Sequence, residues 1–348
     1  MSTPNVYKKQ CLTMMIGTHN GTFHCDEVVA CCLLRQLEEY RSAEIVRTRD
    51  QNLLEKCDII VDVGGTFDAS KKRFDHHQRS FSHTRNSLCP EKKWVTKLSS
   101  AGLIYHYFGA RVIASLIGAH EDDDITGIIH DKIYENFIEE IDAIDNGINQ
   151  SDGIKRYAIR STLSSRVGYL NPMWNETNRD EQAGFDKAME LVREELLDRV
   201  LYYKDVWWPA RELVEEALRN RMEVDSSGEI VCFARGGVPW KEHLFALEAK
   251  LGVDTGVKYV LYKDDSGRWR NQCVPLNNYT FENRLSLPEA WRGVRDEELS
   301  RVSGIPGCMF VHATGFCGGN STYEGALAMV RKSLQMQSDK VAETSMQK

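Results

Sequence analysis

The sequence predicts an α/β protein, with a parallel-sheet domain joined by a helical connector to a smaller α/β domain. Three observations carry that expectation. Over roughly the first 150 residues, short apolar runs alternate with helical patterns, as βαβ units and a parallel sheet require. Residues 178–222 turn to long helical periodicity, and strand signals return from Asp225. The expected boundaries are therefore 1–177 for the first domain, 178–222 for the connector and 223–348 for the second domain. At 348 residues the chain can build two ordinary cores.

Taken in order, CLTMMIGTH (11–19) reads as a buried strand, and DEVVACCLLRQLEEY (26–40) as a helix with one apolar side. AEIVRTR (43–49) is a second strand, QNLLEKC (51–57) a short helix, and DIIVDVGG (58–65) a third strand closed by glycines. SSAGLIYHYFGARVIASLIG (99–118) reads as a helix broken or ended near Gly109. HDKIYENFIEEIDAIDNGI (130–148) is a further helix, stopped at Asn146-Gly147. In the connector Phe185, Met189, Val192, Leu196, Val200 and Tyr203 form one stripe, and Pro209 suits the first turn of a second helix. EIVCFARG (229–236), VKYVLYKDDSGRWRNQCVPL (257–276) and MFVHATG (309–315) look like strands, with DDSG as a hairpin turn. GGNSTYEGALAMVRKSLQ (318–335) reads as a glycine-led helix, with Ser321 and Glu324 at capping-box spacing and a polar, frayed tail after Gln335.

A net charge of −7 argues against a protein that coats nucleic acid electrostatically, so any phosphate contact must come from a local patch. Residues 71–97 supply one: Lys71, Lys72, Arg73, Arg79, Arg85, Lys92, Lys93 and Lys97 face only Asp75 and Glu91. Ten cysteines without CxxC spacing or a secretory signal imply a reducing compartment and a protein that is not secreted. No run reaches the roughly 18–20 apolar residues of a membrane span, so no membrane partner is expected.

Acids and histidines cluster where strands end: His19, His24, Asp26 and Glu27 in THNGTFHCDE, Asp62 in VDVGG, Asp75-His76-His77 in FDHHQ, and Asp142 and Asp145 in IDAIDNG. In an open α/β sheet the carboxyl ends of strands line the ligand crevice, so residues far apart in sequence converge there. Imidazoles and carboxylates together suit a transition-metal pair such as manganese, with magnesium as the alternative. Two such ions about 3.5–4 Å apart activate a water and clamp a phosphoryl oxygen, with no protein nucleophile needed. Of the two late aspartates, Asp145 is preferred because it ends its helix.

These residues resemble the DHH phosphoesterase superfamily, and most closely its melanocyte-proliferating-gene (Myg) branch of metal-dependent hydrolases, regarded as 3′–5′ RNA exonucleases. IGTHNGTFHCDE, DVGG, FDHHQ, IDAIDNG and GFCGG carry the resemblance, which runs from about Met15 to Leu334. It implies a parallel-sheet DHH domain, a helical connector and a smaller α/β domain. By position it implies metal ligands at His19, Asp26, Asp62 (as the bridge), Asp75, His76 and Asp145, and a phosphate contact, counted as catalytic, at His77. The first motif departs from the superfamily's HxxxDxD. Here it is HxxxxHxD, with His24 at the middle position as an imidazole in place of a carboxylate and a further metal-ligand candidate. Where relatives have a GGGH substrate loop, this chain has GFCGGNS, with Asn320 at the histidine's place. Gly318, Gly319 and Asn320 are therefore substrate-binding candidates, as are Arg235 and His312.

The resemblance implies a hydrolase removing nucleotides from the 3′ end of RNA or a short oligonucleotide, in nucleus or mitochondrion. The N-terminus, MSTPNVYKKQ, carries no clear targeting signal, which keeps the cytoplasm open. The alternatives are a small-molecule phosphoesterase acting on a cyclic dinucleotide, pyrophosphate or phosphate ester, and a non-catalytic metal-binding regulator.

Overall fold

A computed structural model describes residues 13–346 apart from 254, 255 and 279, with side chains through residue 340. The chain divides into two units, Met1–Lys204 and Asp205–Lys348.

In the first unit the chain alternates as expected. Strand β1 (Met15–Thr18) leads to helix α1 (Cys25–Arg35), β2 (Glu44–Arg47), α2 (Gln51–Leu54) and β3 (Ile59–Val61). Two short strands that the sequence did not announce follow, β4 (Phe67–Asp68) and β5 (Arg73–Phe74). The sheet order is β2-β1-β3-β5-β4, parallel except for β4, which pairs antiparallel with β5 at the edge. β1 and β3 are buried almost throughout, as strands covered on both faces should be. The expected first strand began at Cys11, and its first two residues lie outside the described ones.

After α3 (Arg85–Leu88), helix α4 (Ser100–Ile117) runs unbroken through Gly109, contrary to the break expected there. The glycine serves close packing instead: a Cβ at Gly109 would sit 2.9 Å from His130 Nε2. The helix expected from 130 begins earlier and is interrupted. It comprises α5 (Asp124–Ile133), one π-helical turn (Tyr134–Ile138) and α6 (Glu139–Asp145). Its end is where the sequence placed it, with Asn146 as cap and Gly147 at φ 67°. Helices α7 (Leu163–Gly168) and α8 (Glu181–Tyr202) complete the unit. Helix α1, with nearly every residue buried, packs against α4, α6, α7 and α8. Phe185, Val192, Leu196 and Val200 of the expected stripe are buried on α8.

The second unit starts with α9 (Trp208–Arg219), which carries Pro209 in its first turn, and α10 (Arg221–Val224). β6 (Ile230–Cys232), α11 (Lys241–Leu251), the hairpin β7 (Tyr259–Lys263) and β8 (Trp269–Cys273), α12 (Asp296–Ser303), β9 (Cys308–Val311) and β10 (Cys317–Asn320) follow. They form a mixed sheet in the order β6-β7-β8-β10-β9. Alternation along these strands feeds two cores. Ile230, Tyr259 and Leu261 join the cluster around Trp291, while Val231 and Val260 join the one around Trp240.

The last helix differs from expectation. Gly318 and Gly319 lie in β10, paired on one side with β8 and on the other with β9, and not in a turn opening the helix. Helix α13 (Tyr323–Met346) is capped by Thr322, whose Oγ1 accepts the Gly325 N–H at 3.0 Å, and not by Ser321. It continues well past Gln335, where a frayed tail was expected.

Candidate metal centre

The parallel strands β1, β3 and β5 run the same way, so their carboxyl ends deliver side chains to one rim of the sheet. His19 follows β1, Asp62 follows β3, and Asp75, His76 and His77 follow β5. His24 caps α1, Asp26 and Glu27 stand in its first turn, and Asp145 is the last residue of α6. All of these except Glu27 line one cavity of about 1100 Å³, with Arg49, Arg79 and Lys97 also on its wall.

The contacts are close. His76 Nε2 lies 3.1 Å from Asp145 Oδ2, 3.3 Å from Asp62 Oδ1 and 3.8 Å from Asp26 Oδ2. His19 Nε2 lies 3.0 Å from Glu27 Oε1 and 3.4 Å from Asp62 Oδ2. Asp62 thus faces both histidines, one through each carboxylate oxygen. It does so with a left-handed backbone, φ 57°, a conformation that costs a non-glycine residue roughly 1–2 kcal/mol. Asp75 Oδ1 holds His77 Nδ1 at 2.8 Å, and Asp75 Oδ2 accepts the Gly65 N–H at 2.6 Å. His77 itself is largely exposed to the cavity.

Among the described residues, four sets of donor atoms are near enough to share an ion: His19, His24 and Glu27; Asp26, Glu27 and Asp62; Asp62, His76 and His77; and Asp26, His76 and Asp145. Asp26 fits a cation best. It is 1% exposed, and among the described residues neither of its oxygens meets an N–H or O–H donor in hydrogen-bonding geometry, nor does Nδ1 of buried His76 have a partner. Such groups are costly to bury unless something satisfies them. Burial, together with the charges of Asp62 and Asp145, pushes the Asp26 carboxyl well above its usual range. Burial acts to raise Asp62 as well, but His19 and His76 beside it hold it well below that range. Burial alone would lower His19, yet Asp62 and Glu27 outweigh it and push His19 up to about 10. Two like charges at 4 Å repel by about 4 kcal/mol at an effective dielectric of about 20. Carboxylates packed this tightly either take up protons, as the raised Asp26 does, or gather positive charge, from His19 or from a bound cation.

Around these groups lies a ring of supports. His19 Nδ1 lies 3.2 Å from the Asn20 carbonyl and 3.3 Å from Arg49, which leaves Nε2 for the cavity side. Ser100 Oγ donates to Asp62 at 3.2 Å. Glu27 belongs to the first motif, where the sequence alone assigns it no role. It is fully buried, its carboxylate accepts the His24 N–H at 2.8 Å, and it touches His19. Its capping-box position was the available signal. Asp142 turns inward, where it accepts from Ser99 N, Ser99 Oγ, Gly102 N and Tyr134 Oη, and so ties α6 to the start of α4.

Of the candidates in the second unit, His312 adjoins Gly318, its N–H donating to the Cys317 carbonyl at 2.9 Å where β9 pairs with β10. Arg235 is exposed in the loop after β6 and lines a separate cavity of about 630 Å³ with Lys263. His312 is exposed after β9, its Nδ1 accepting the Thr314 N–H. Asn320 is fully buried, donating to the Pro306 carbonyl and accepting from Thr322 N.

Among the described residues no helix is long and apolar enough to cross a membrane. The family model MYG1_exonuc, described as uncharacterised protein family UPF0160, matches residues 15–334. A Rattus norvegicus protein named MYG1 exonuclease is 59% identical over 320 residues, covering 92% of this chain and 84% of the relative. The Homo sapiens MYG1 exonuclease is 58% identical over 324 residues, with 93% and 86% covered. The Schizosaccharomyces pombe MYG1 protein C694.04c is 43% identical over 327 residues, with 92% and 97% covered. With a match spanning both units of the fold and the whole acid–histidine rim, this chain belongs to the MYG1 exonuclease family.

Proposed function

We propose that the chain is a DHH-type, metal-dependent phosphodiester hydrolase that removes nucleotides from the 3′ end of RNA. The observation that carries this reading is Asp62, set between the His19 and His76 sides of the rim and part of two of the four donor sets. The names of the mammalian relatives support the exonuclease part.

Two divalent ions, manganese by the mixed imidazole and carboxylate donors, suit the site. When bound they supply a water of lowered pKa and neutralise charge on the phosphoryl group. His19, His24, Asp26, Asp62, His76 and Asp145 would hold them. Glu27 keeps the His19 ring and the start of α1 in place. Asp75 fixes the His77 ring through Nδ1 and so turns its other nitrogen towards a substrate phosphate. The hydrogen bond to Asp75 also raises the His77 pKa, which favours an imidazolium facing that anion. Arg49, Arg79 and Lys97 add positive charge on the cavity wall for the same group. In the second unit, exposed Arg235 and His312 are the candidates for further substrate contact.

Purified protein is incubated with manganese and a short RNA labelled at its 5′ end, beside an Asp75→Ala, His76→Ala variant. The expected result is a ladder shortening from the 3′ end, absent from the variant. Intact RNA with the wild-type protein, together with turnover of a cyclic dinucleotide or pyrophosphate, would move the reading to a small-molecule phosphoesterase.

A further inference from the structure

Between α6 and α8 the chain leaves the metal cavity at Asn146 and returns to it at Ser164, Ser165 and Gly168. What this stretch carries is unusual for a surface. Tyr157 is 76%, Tyr169 66% and Trp174 90% exposed. Single exposed apolar residues are ordinary, but an aromatic ring left open forgoes roughly 150–250 Å² of burial. Three within residues 157–174, a stretch that reaches the cavity at Ser164, Ser165 and Gly168, call for a ligand.

The charge of the stretch narrows the choice. Lys155, Arg156 and Arg160 are exposed, and none has a carboxylate partner among the described residues. This is a basic segment on a chain of net charge −7. It is also held in place. Asn171 accepts the Phe23 N–H at 3.0 Å and donates to the Phe23 carbonyl at 2.8 Å, which pins the loop beside His24. Thr162 caps α7 by accepting the Ser165 N–H.

We infer that this aromatic and basic stretch is the platform on which a single-stranded nucleic acid lies as its 3′ end enters the metal centre, an inference that rests on the exonuclease reading. Exposed rings stack on bases whatever their identity, and interleaved cations follow the phosphates. A duplex has its bases already stacked and offers the rings nothing. A second copy of the chain is the competing occupant, since protein interfaces also favour tyrosine, tryptophan and arginine; the continuity of the stretch with the metal cavity at Ser164, Ser165 and Gly168 argues for the nucleic-acid strand. The platform therefore selects unpaired strands several nucleotides long, and the nucleotides it grips lie on the 5′ side of the scissile bond.

The test is fluorescence anisotropy with a ten-nucleotide RNA labelled at its 5′ end, with chelator present so that no strand is cut. Tyr157→Ala and Trp174→Ala should each weaken binding roughly tenfold. Arg156→Gln should lower the salt dependence by about one unit of slope. Both aromatic variants should retain manganese binding by calorimetry. Variants that bind RNA as the wild type does, while wild type still shortens RNA with manganese, would overturn the platform and leave the exonuclease reading standing. Wild-type protein that neither binds nor shortens RNA would overturn both. A dimer seen by sedimentation and lost in Trp174→Ala would overturn the inference in favour of a second copy.

Discussion

Asp62 Oδ1 lies 3.3 Å from His76 Nε2, and the pair joins the end of β3 to the end of β5. Asp62 makes this contact with φ 57°, its two carboxylate oxygens turned one to His19 and one to His76. Replacing Asp62 by Asn keeps the shape and removes the charge that holds the donor sets together. Hydrolysis should fall by about 10²–10³-fold, and calorimetric manganese titration should lose at least one site. Unchanged stoichiometry and rate would exclude the bridging role.

Cation binding should also be visible without turnover. Ligand groups must be deprotonated to bind a metal, and His19 is held protonated by Asp62 and Glu27, pushed up to about 10. Manganese added to chelator-stripped protein at pH 7.5 should therefore release protons. Calorimetry in two buffers of different ionisation enthalpy measures that release directly. The thermal midpoint should rise with manganese concentration, because the ion binds the folded chain.

Glu27→Gln leaves the cap position occupied but removes the charge beside His19. Supports of this kind typically change metal affinity by about 10–100-fold. The far-UV spectrum should stay as in wild type while the manganese dissociation constant rises. A variant with unaltered affinity would reduce Glu27 to a helix cap.

His106 and His130 provide a pH signature away from the centre. Burial, and then the charge of Arg85, lowers His106 to about 4, and burial also lowers His130. Below about pH 6.5 the unfolded chain takes up protons that the folded chain refuses, so their contribution to stability is lost as pH falls from about 6.5 towards 4. A His106→Gln, His130→Gln double variant should show a shallower loss than wild type in urea melts across that window. Parallel curves would refute the assignment.

Gly102 packs against the carboxylate of Asp142 with no room for a methyl group. Gly102→Ala should destabilise the first unit by about 1–3 kcal/mol, read as a lower thermal midpoint. The metal ligands are untouched, so manganese affinity measured well below that midpoint should be little changed.

Much of the first unit was legible because apolar runs and turn signals have fixed periods, and the end of a strand is visible as Asp62-Val63-Gly64-Gly65 or as Asn146-Gly147 after a helix. The gathering of His19, Asp62, Asp75 and His76 could be anticipated from strand ends, while Asp26 and Asp145 join them from helix ends. Glu27 could not be separated from a surface helix acid, because capping and ligation leave the same letter at the same place. Strands β4 and β5, two residues each, are too short to show a period. Gly318 and Gly319 read as a turn because glycine is permissive. Their place between β8 and β9 depends on partners about 10 and 50 residues away.

By itself the sequence determined the alternating α/β order, the composition of the acid and histidine motifs, and their positions at element ends, since each depends on neighbours along the chain. Only the tertiary structure decided which carboxylates face which rings, that Asp142 is spent on α4 while Asp145 reaches His76, and that Asn171 brings the loop with Tyr169 and Trp174 beside His24. These contacts join residues dozens to more than a hundred positions apart. They are chosen by the closing of the packed core, in which a carboxylate is placed by the space and the donors around it, and no local pattern encodes that.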